Sequence, residues 1–181
     1  MPTYLAFLRA VNVGGTGKLS MADLKTWFTQ LGLADVRTLL QSGNVVFRAG
    51  RTTAENLEQR LETAAVKELG LSTTFFIRTA DEWADALAHN PFPAAAENAP
   101  SHLALAVLKS APTAAQVQSL QAAIKGREQV RAHDRHAYIV YPDGMGTSKL
   151  TLAVIEQHLA TRATARNWNT ARKMAALAAT T

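Results

Sequence analysis

The sequence predicts an α+β protein of two ferredoxin-like βαββαβ(α) halves, with antiparallel sheets covered by helices. Three observations carry this reading. The order strand, helix, strand, strand, helix, strand, helix is written twice, with matching elements about 90 to 98 residues apart. The stretch "NPFPAAAENAPS", residues 90 to 101, holds three of the six prolines and separates the copies. The opening run "TYLAFLR" is apolar at odd and even positions alike, as a central strand buried on both faces must be. The halves are expected over 1–90 and 102–181, joined by a linker at 91–101.

The elements follow in order. After the first strand, "SMADLKTWFTQLG" begins with Ser20 and Asp23 as a cap and places Met21, Leu24, Trp27, Phe28 and Leu31 on one helical face. Gly32 ends it. "VRTLLQ" and "NVVFR" flank Ser42-Gly43, a short hairpin signal. A helix over about 54 to 69 buries Leu57, Leu61, Ala65 and Leu69 and leaves Glu55, Glu58 and Glu62 to water. "TTFFIR" is a strand, and Thr79 with Glu82 forms a capping box for a short helix that stops before Asn90-Pro91.

In the second copy, a strand near 102–108 precedes a helix built on Val117, Leu120 and Ile124. Strands near 128–133 and 136–141 flank the turn "HDRH". A helix carrying Leu152, Ile155 and Leu159 follows, then an extended piece near 162–166 and a last helix from about 169. The repeat rests on element order, because residue identity between the copies is negligible.

Composition narrows the function classes. Hydrophobic residues make up 48% and charged residues 18% of the 181, which is the balance of a folded domain. With no cysteine, disulfides and thiolate chemistry are excluded, and a reducing cytoplasm suits the chain. The N-terminus lacks the basic lead and apolar run of a signal peptide. No apolar stretch reaches the roughly 20 residues that span a bilayer, so no membrane partner is expected. The net charge of +5 is uneven. Nine Lys/Arg face only Glu128, Asp134, Asp143 and Glu156 in residues 125–181, which accounts for the whole excess. A local basic region points to phosphate-bearing partners.

Four segments hold the chemistry. "NVGGTGK" (12–18) fails as a Walker loop, since Asn12 stands for the first glycine and Leu19 follows Lys18. Its Gly14, Gly15 and Lys18 still place amides and a cation beside a helix start, where an anion binds. "DGMGTSK" (143–149) repeats this, with Thr147 or Ser148 as cap and Lys149 in the first turn of the next helix. In "ARNWNTARK" (165–173), Asn167 or Asn169 caps the last helix, so Arg172 and Lys173 fall in its first turn, the wrong end for a cation unless a negative group is near. Trp168 either fills a core gap or stacks on a ligand. Arg9 ends the first strand, where it either pairs with a carboxylate such as Asp23 or lines a ligand pocket, and Gln41, Ser42 and Asn44 supply amides and a hydroxyl, read most simply as turn chemistry.

These blocks resemble a known family. "FLRAVNVGGTGKLSMADL", "VRTLLQSGNVVF", "NPF", "PDGMGTSKLT" and "TARNWNT" look like the signature segments of the bacterial family called domain of unknown function 1697. The family pattern has glycine where this chain has Ala10. The resemblance implies an α+β fold of ferredoxin-like halves, and it brings no reaction, substrate or catalytic residue.

The reading favoured by the residues is a binding module for a phosphorylated small molecule, nucleotide or nucleic acid, without cofactor. Lys18, Lys149, Arg166 and Arg172 would contact phosphate, Asn12, Asn167 and Asn169 would orient them, and Arg9, Gln41, Ser42 and Asn44 would line the site. An enzyme acting on a phosphorylated small molecule in a cleft between the halves is the alternative, and a homo-oligomeric scaffold is the third reading. The five histidines show no metal-ligand spacing on a helix, so no transition metal is expected.

Overall fold

The computed structural model describes residues 1–9, 19–40 and 42–181. The chain divides into two compact units, Met1–Ala84 with Lys173–Thr181, and Asp85–Arg172. Each holds one four-stranded antiparallel sheet with helices, the α+β class.

The first unit runs β1 (Thr3–Leu8), α1 (Met21–Gln30), β2 (Ala34–Leu39), β3 (Asn44–Arg48), α2 (Ala54–Ala64) and β4 (Phe75–Thr79). Its sheet order is β2-β3-β1-β4, so β1 is hydrogen-bonded on both edges. Leu5 sits opposite Val46 on one side and Arg78 on the other. Tyr4, Ala6 and Leu8 enter a core with Leu24 and Phe28 of α1, Leu57 and Leu61 of α2, and Phe47, Phe75 and Ile77 of the sheet. Phe28 meets Phe47 edge-on at 5.3 Å, a favoured aromatic geometry. Leu5 and Phe7, on the opposite face, are equally buried, and Phe7 packs on Trp83 at 4.6 Å.

Local signals explain where these helices start and stop. Ser20 Oγ accepts the Asp23 amide, and Gly32 takes φ +82° at the end of α1, a conformation that favours glycine. Thr53 caps α2 through the Asn56 amide. The helical path continues past Ala64 as a wider π turn over Ala65–Leu69 and ends at Gly70, φ +61°.

One expectation about α2 needs correcting. Glu58 does not face water: it is buried, and its Oε1 accepts the Ile77 amide at 2.9 Å. Glu62 accepts the Phe75 amide at 2.9 Å. Both amides lie on β4, an edge strand with donors that its only neighbour, β1, leaves free. Helical periodicity marks Glu58 and Glu62 as polar, but the nearby sheet edge turns them into acceptors.

The second unit runs from the later part of α3 (Ala80–Ala88) through α4 (Pro93–Asn98), β5 (Leu103–Leu108), α5 (Ala114–Ala123), β6 (Gln129–His133), β7 (His136–Val140), α6 (Leu152–Leu159) and β8 (Ala163–Asn167), to Arg172 in α7 (Trp168–Ala179). Thr79 and Glu82 form the expected capping box for α3. The segment at 91–101 carries α4 and leads into a 3₁₀ turn at Pro100–His102. The sheet order is β6-β7-β5-β8. Its core replaces aromatic rings with Ala104, Ala106, Ala137 and Ala163, packed by Leu120, Ile139, Ile155 and Leu159. Glu156 of α6 accepts the Ala163 amide on edge strand β8 at 3.1 Å, the same device as Glu58 and Glu62. Among the described residues no helix is long and apolar enough to cross a membrane.

Replacing Glu58 by alanine strands a buried amide and should cost about 1–3 kcal/mol. Glu58→Gln, which keeps an acceptor oxygen, should lose less. Urea unfolding of both variants checks this, and equal stability of Glu58→Ala and wild type would contradict it.

Candidate functional site

The second unit contains a cavity of about 450 Å³ at the ends of α5 and α6. Lys125, Gly126 and Glu128 form one wall, Asp143, Gly144, Thr147, Ser148 and Lys149 a second, and Val154, Gln157 and His158 of α6 a third. The "DGMGTSK" loop singled out by the sequence is therefore part of a real concavity.

Thr151 caps α6, not Thr147 or Ser148, and its Oγ1 accepts the Val154 amide. Lys149 thus precedes the helix and is not in its first turn. Ser148 bonds instead within the loop and across to Glu128. Its hydroxyl donates to Glu128 Oε1 at 2.7 Å, and its Oγ accepts the Leu150 amide at 3.0 Å. Tyr141 donates its hydroxyl to the Leu150 carbonyl at 3.0 Å, fixing the loop from beneath. Burial and then the nearby Glu128 charge push the Tyr141 phenol up to about 12.

The acids of the cavity are already engaged. The Ser148 hydroxyl, and then backbone amides, hold Glu128 below the usual carboxylate range. Arg127 grips Asp143 through two guanidinium nitrogens and lowers that carboxyl as well. Gly126 is tight against the first of these acids, because a Cβ there would lie 2.6 Å from Glu128 Oε2. Lys125 and Lys149 are exposed, and neither is paired with a carboxylate among the described residues. His158 Nδ1 lies 2.8 Å from the Ser119 hydroxyl.

The other sequence-predicted residues lie elsewhere. Arg166, on β8, is buried, with Nη1 donating to Thr164 Oγ1 at 2.8 Å and to the Ala165 carbonyl at 2.9 Å. Burial lowers its guanidinium to about 10. Asn167 is the cap of α7, its Oδ1 accepting the Thr170 amide at 3.0 Å. Trp168 is buried. Arg172 falls in the second turn, exposed, and donates to Asn169 Oδ1 at 3.3 Å. None of these five lines the cavity. In the first unit, Arg9 follows β1, where its carbonyl accepts the Thr73 hydroxyl. Asn44 is buried and donates to the Leu39 carbonyl and to Ser42 Oγ, which is turn chemistry. Asn12, Gly14, Gly15, Lys18 and Gln41 lie outside the described residues.

Sequence reasoning missed Lys125, Glu128 and His158 in the cavity. It also passed over Asp85, His89 and His133, whose potential ligand atoms lie within 4.8 Å of one another. The Asp85–His89 spacing of four at the end of α3 was the available signal.

Fold and cavity together define a two-unit α+β protein with a polar, cation-bearing pocket in its second unit. The chain belongs to the family described as Protein of unknown function (DUF1697), whose profile matches residues 1–138. That span includes Lys125, Gly126 and Glu128 and stops before Asp143. The chain is similar to the solved structure of the conserved bacterial protein SP0830 from Streptococcus pneumoniae, with a TM-score of 0.74 and 20% identity over 98% of each chain. That likeness is one of fold. No curated protein matches the chain.

Arg166, expected as a phosphate contact, is buried in the fold instead. Arg166→Ala leaves the Thr164 hydroxyl and Ala165 carbonyl without this donor and should destabilise by about 1–3 kcal/mol. Arg166→Met restores apolar volume without a buried charge and should cost less. Chemical denaturation of the two variants tests this; an unchanged midpoint for Arg166→Ala would show that the buried guanidinium contributes nothing to the fold.

Proposed function

We propose that this chain is a binding module for a phosphorylated small molecule, held in the cavity beside α5 and α6. One observation carries the reading: Lys125 and Lys149 line a cavity whose carboxylates are already engaged by Ser148, Arg127 and backbone amides. With Arg127 counted on Asp143, three cations (Lys125, Arg127 and Lys149) stand against two carboxylates (Glu128 and Asp143), so the balance is positive and an anion gains there. The Gly126 and Gly144 backbones and the Thr147 hydroxyl add groups of the kind that bind phosphate oxygens. A volume of about 450 Å³ is that of a small-ligand pocket, which favours a mononucleotide or sugar phosphate over a nucleic acid duplex.

Of the ligand residues read from the sequence, this proposal retains Lys149. Arg166, Asn167 and Trp168 serve the fold of β8 and α7 instead. The sheet orders, in which each unit's first strand lies between its third and fourth, support reading each unit as a ferredoxin-like half.

The test is a thermal-shift panel of inorganic phosphate, pyrophosphate, nucleotides and sugar phosphates. A ligand at about a hundred times its dissociation constant should stabilise the protein by about 2.7 kcal/mol. The Lys125→Ala/Lys149→Ala double variant should lose that response, keep its ligand-free melting temperature, and leave dephosphorylated analogues equally ineffective. A response that survives in the double variant would place the ligand elsewhere, and a panel without any response would remove the proposal.

A further inference from the structure

We propose a binding site for a divalent transition ion of the zinc class at Asp85, His89 and His133, three residues that share none of the cavity lining. Asp85 lies on α3 and His89 follows its last residue, with the His89 amide still donating to the Asp85 carbonyl, and His133 ends β6 just before the hairpin residue Asp134. Asp85 Oδ1 is 3.2 Å from His89 Nδ1, and Asp85 Oδ2 is 3.4 Å from His133 Nε2. Tetrahedral zinc with bonds near 2.0–2.1 Å holds neighbouring ligand atoms about 3.3–3.4 Å apart, and each histidine already stands at about that distance from a different oxygen of Asp85, so a small rotation of the carboxylate brings the three groups to one ion. One ligand atom from each of the three residues lies within 4.8 Å of the other two.

The imidazoles of His89 and His133 stack with centroids 3.8 Å apart and planes 9° from parallel. A single carboxylate therefore serves two histidines. A divalent ion bound there would be shared by all three groups. Because imidazole lone pairs lie in the ring planes, the stacked rings must tilt before both can reach one ion. His89 Nδ1 also lies 2.9 Å from the Asp85 backbone carbonyl. Metal binding at Nδ1 takes the neutral tautomer with its ring proton on Nε2, so the contact to the carbonyl gives way to the ion.

The donor set selects the ion class. Two imidazoles and one carboxylate suit zinc, nickel, copper or cobalt, whereas magnesium and calcium require oxygen-rich shells. The three side chains are between 36% and 53% exposed, so an ion has an entry path and a coordination position remains for water. Binding would tie α3 to the β6–β7 hairpin, residues far apart in sequence within the same unit.

The experiment is Zn²⁺ titration of the tag-free, chelator-stripped chain by calorimetry, with Co²⁺ absorption as a spectroscopic report on nitrogen ligands. One equivalent should bind per chain. His89→Ala and His133→Ala should each weaken binding at least about tenfold, since even indirect supports of a metal ligand contribute that much. His158→Ala should leave it unchanged. Either ligand variant that keeps the wild-type circular dichroism decides the matter. No saturable Zn²⁺ binding, unaltered affinity in the His89→Ala/His133→Ala double variant, or loss in His158→Ala instead would overturn the assignment.

Discussion

The rest of each unit depends on one strand that has no exposed side. β1 and β5 are each hydrogen-bonded along both edges, and Leu5, Ala6, Phe7, Leu105, Ala106 and Val107 are fully buried. Such a position admits only apolar side chains, because an unpaired polar group there costs more than the fold can spare. A slip of one residue would exchange the two buried faces, and in β1 it would send Tyr4, Ala6 and Leu8 away from the core they share with α1 and α2. Full burial of a large apolar side chain contributes roughly 1.5–3 kcal/mol, so these runs anchor their sheets.

Helix placement follows from that anchor. With β5 fixed, Leu120 of α5 and Ile155 and Leu159 of α6 pack onto one face of its sheet. Their polar ends then carry Lys125 and His158 into the cavity wall. The same packing brings helix carboxylates over the outer strands. Glu58, Glu62 and Glu156 take edge amides that would otherwise recruit a foreign strand. Arg78 on β4 and Arg166 on β8 form another parallel: each is buried, faces the central strand at Leu5 or Leu105, and donates Nη1 to the carbonyl of the residue before it. The two units share these devices although one core is aromatic and the other alanine-rich, which is why residue identity conceals the repeat.

Much of the α+β architecture was legible because it rests on periodicity and caps. The doubly apolar run "TYLAFL", the Ser20 and Thr79 caps and the Gly32 stop are local signals, and each appears where the sequence puts it. The site was less legible, because long-range partners decide it. "GTSKLT" reads with Thr147 or Ser148 as the cap. Thr151 takes the role, while Leu150 goes into the core and Ser148 turns to Glu128, twenty residues away in sequence. Arg166 reads as a free cation in "TARNWN", yet its place on a buried strand makes it part of the interior. Glu58 illustrates the converse, since nothing in helical periodicity reveals a neighbouring edge amide. His133 is 44 positions from His89, so no spacing rule along the chain could pair them before the hairpin was folded.

Native-state hydrogen exchange followed by NMR measures the central constraint directly, because amides in the most stable elements open only with global unfolding. The account predicts that the slowest amides of the chain lie in Leu5–Phe7 and Leu105–Val107, with β2 and β6 exchanging faster at the sheet edges. Exchange in β1 and β5 as fast as in β2 and β6 would contradict it.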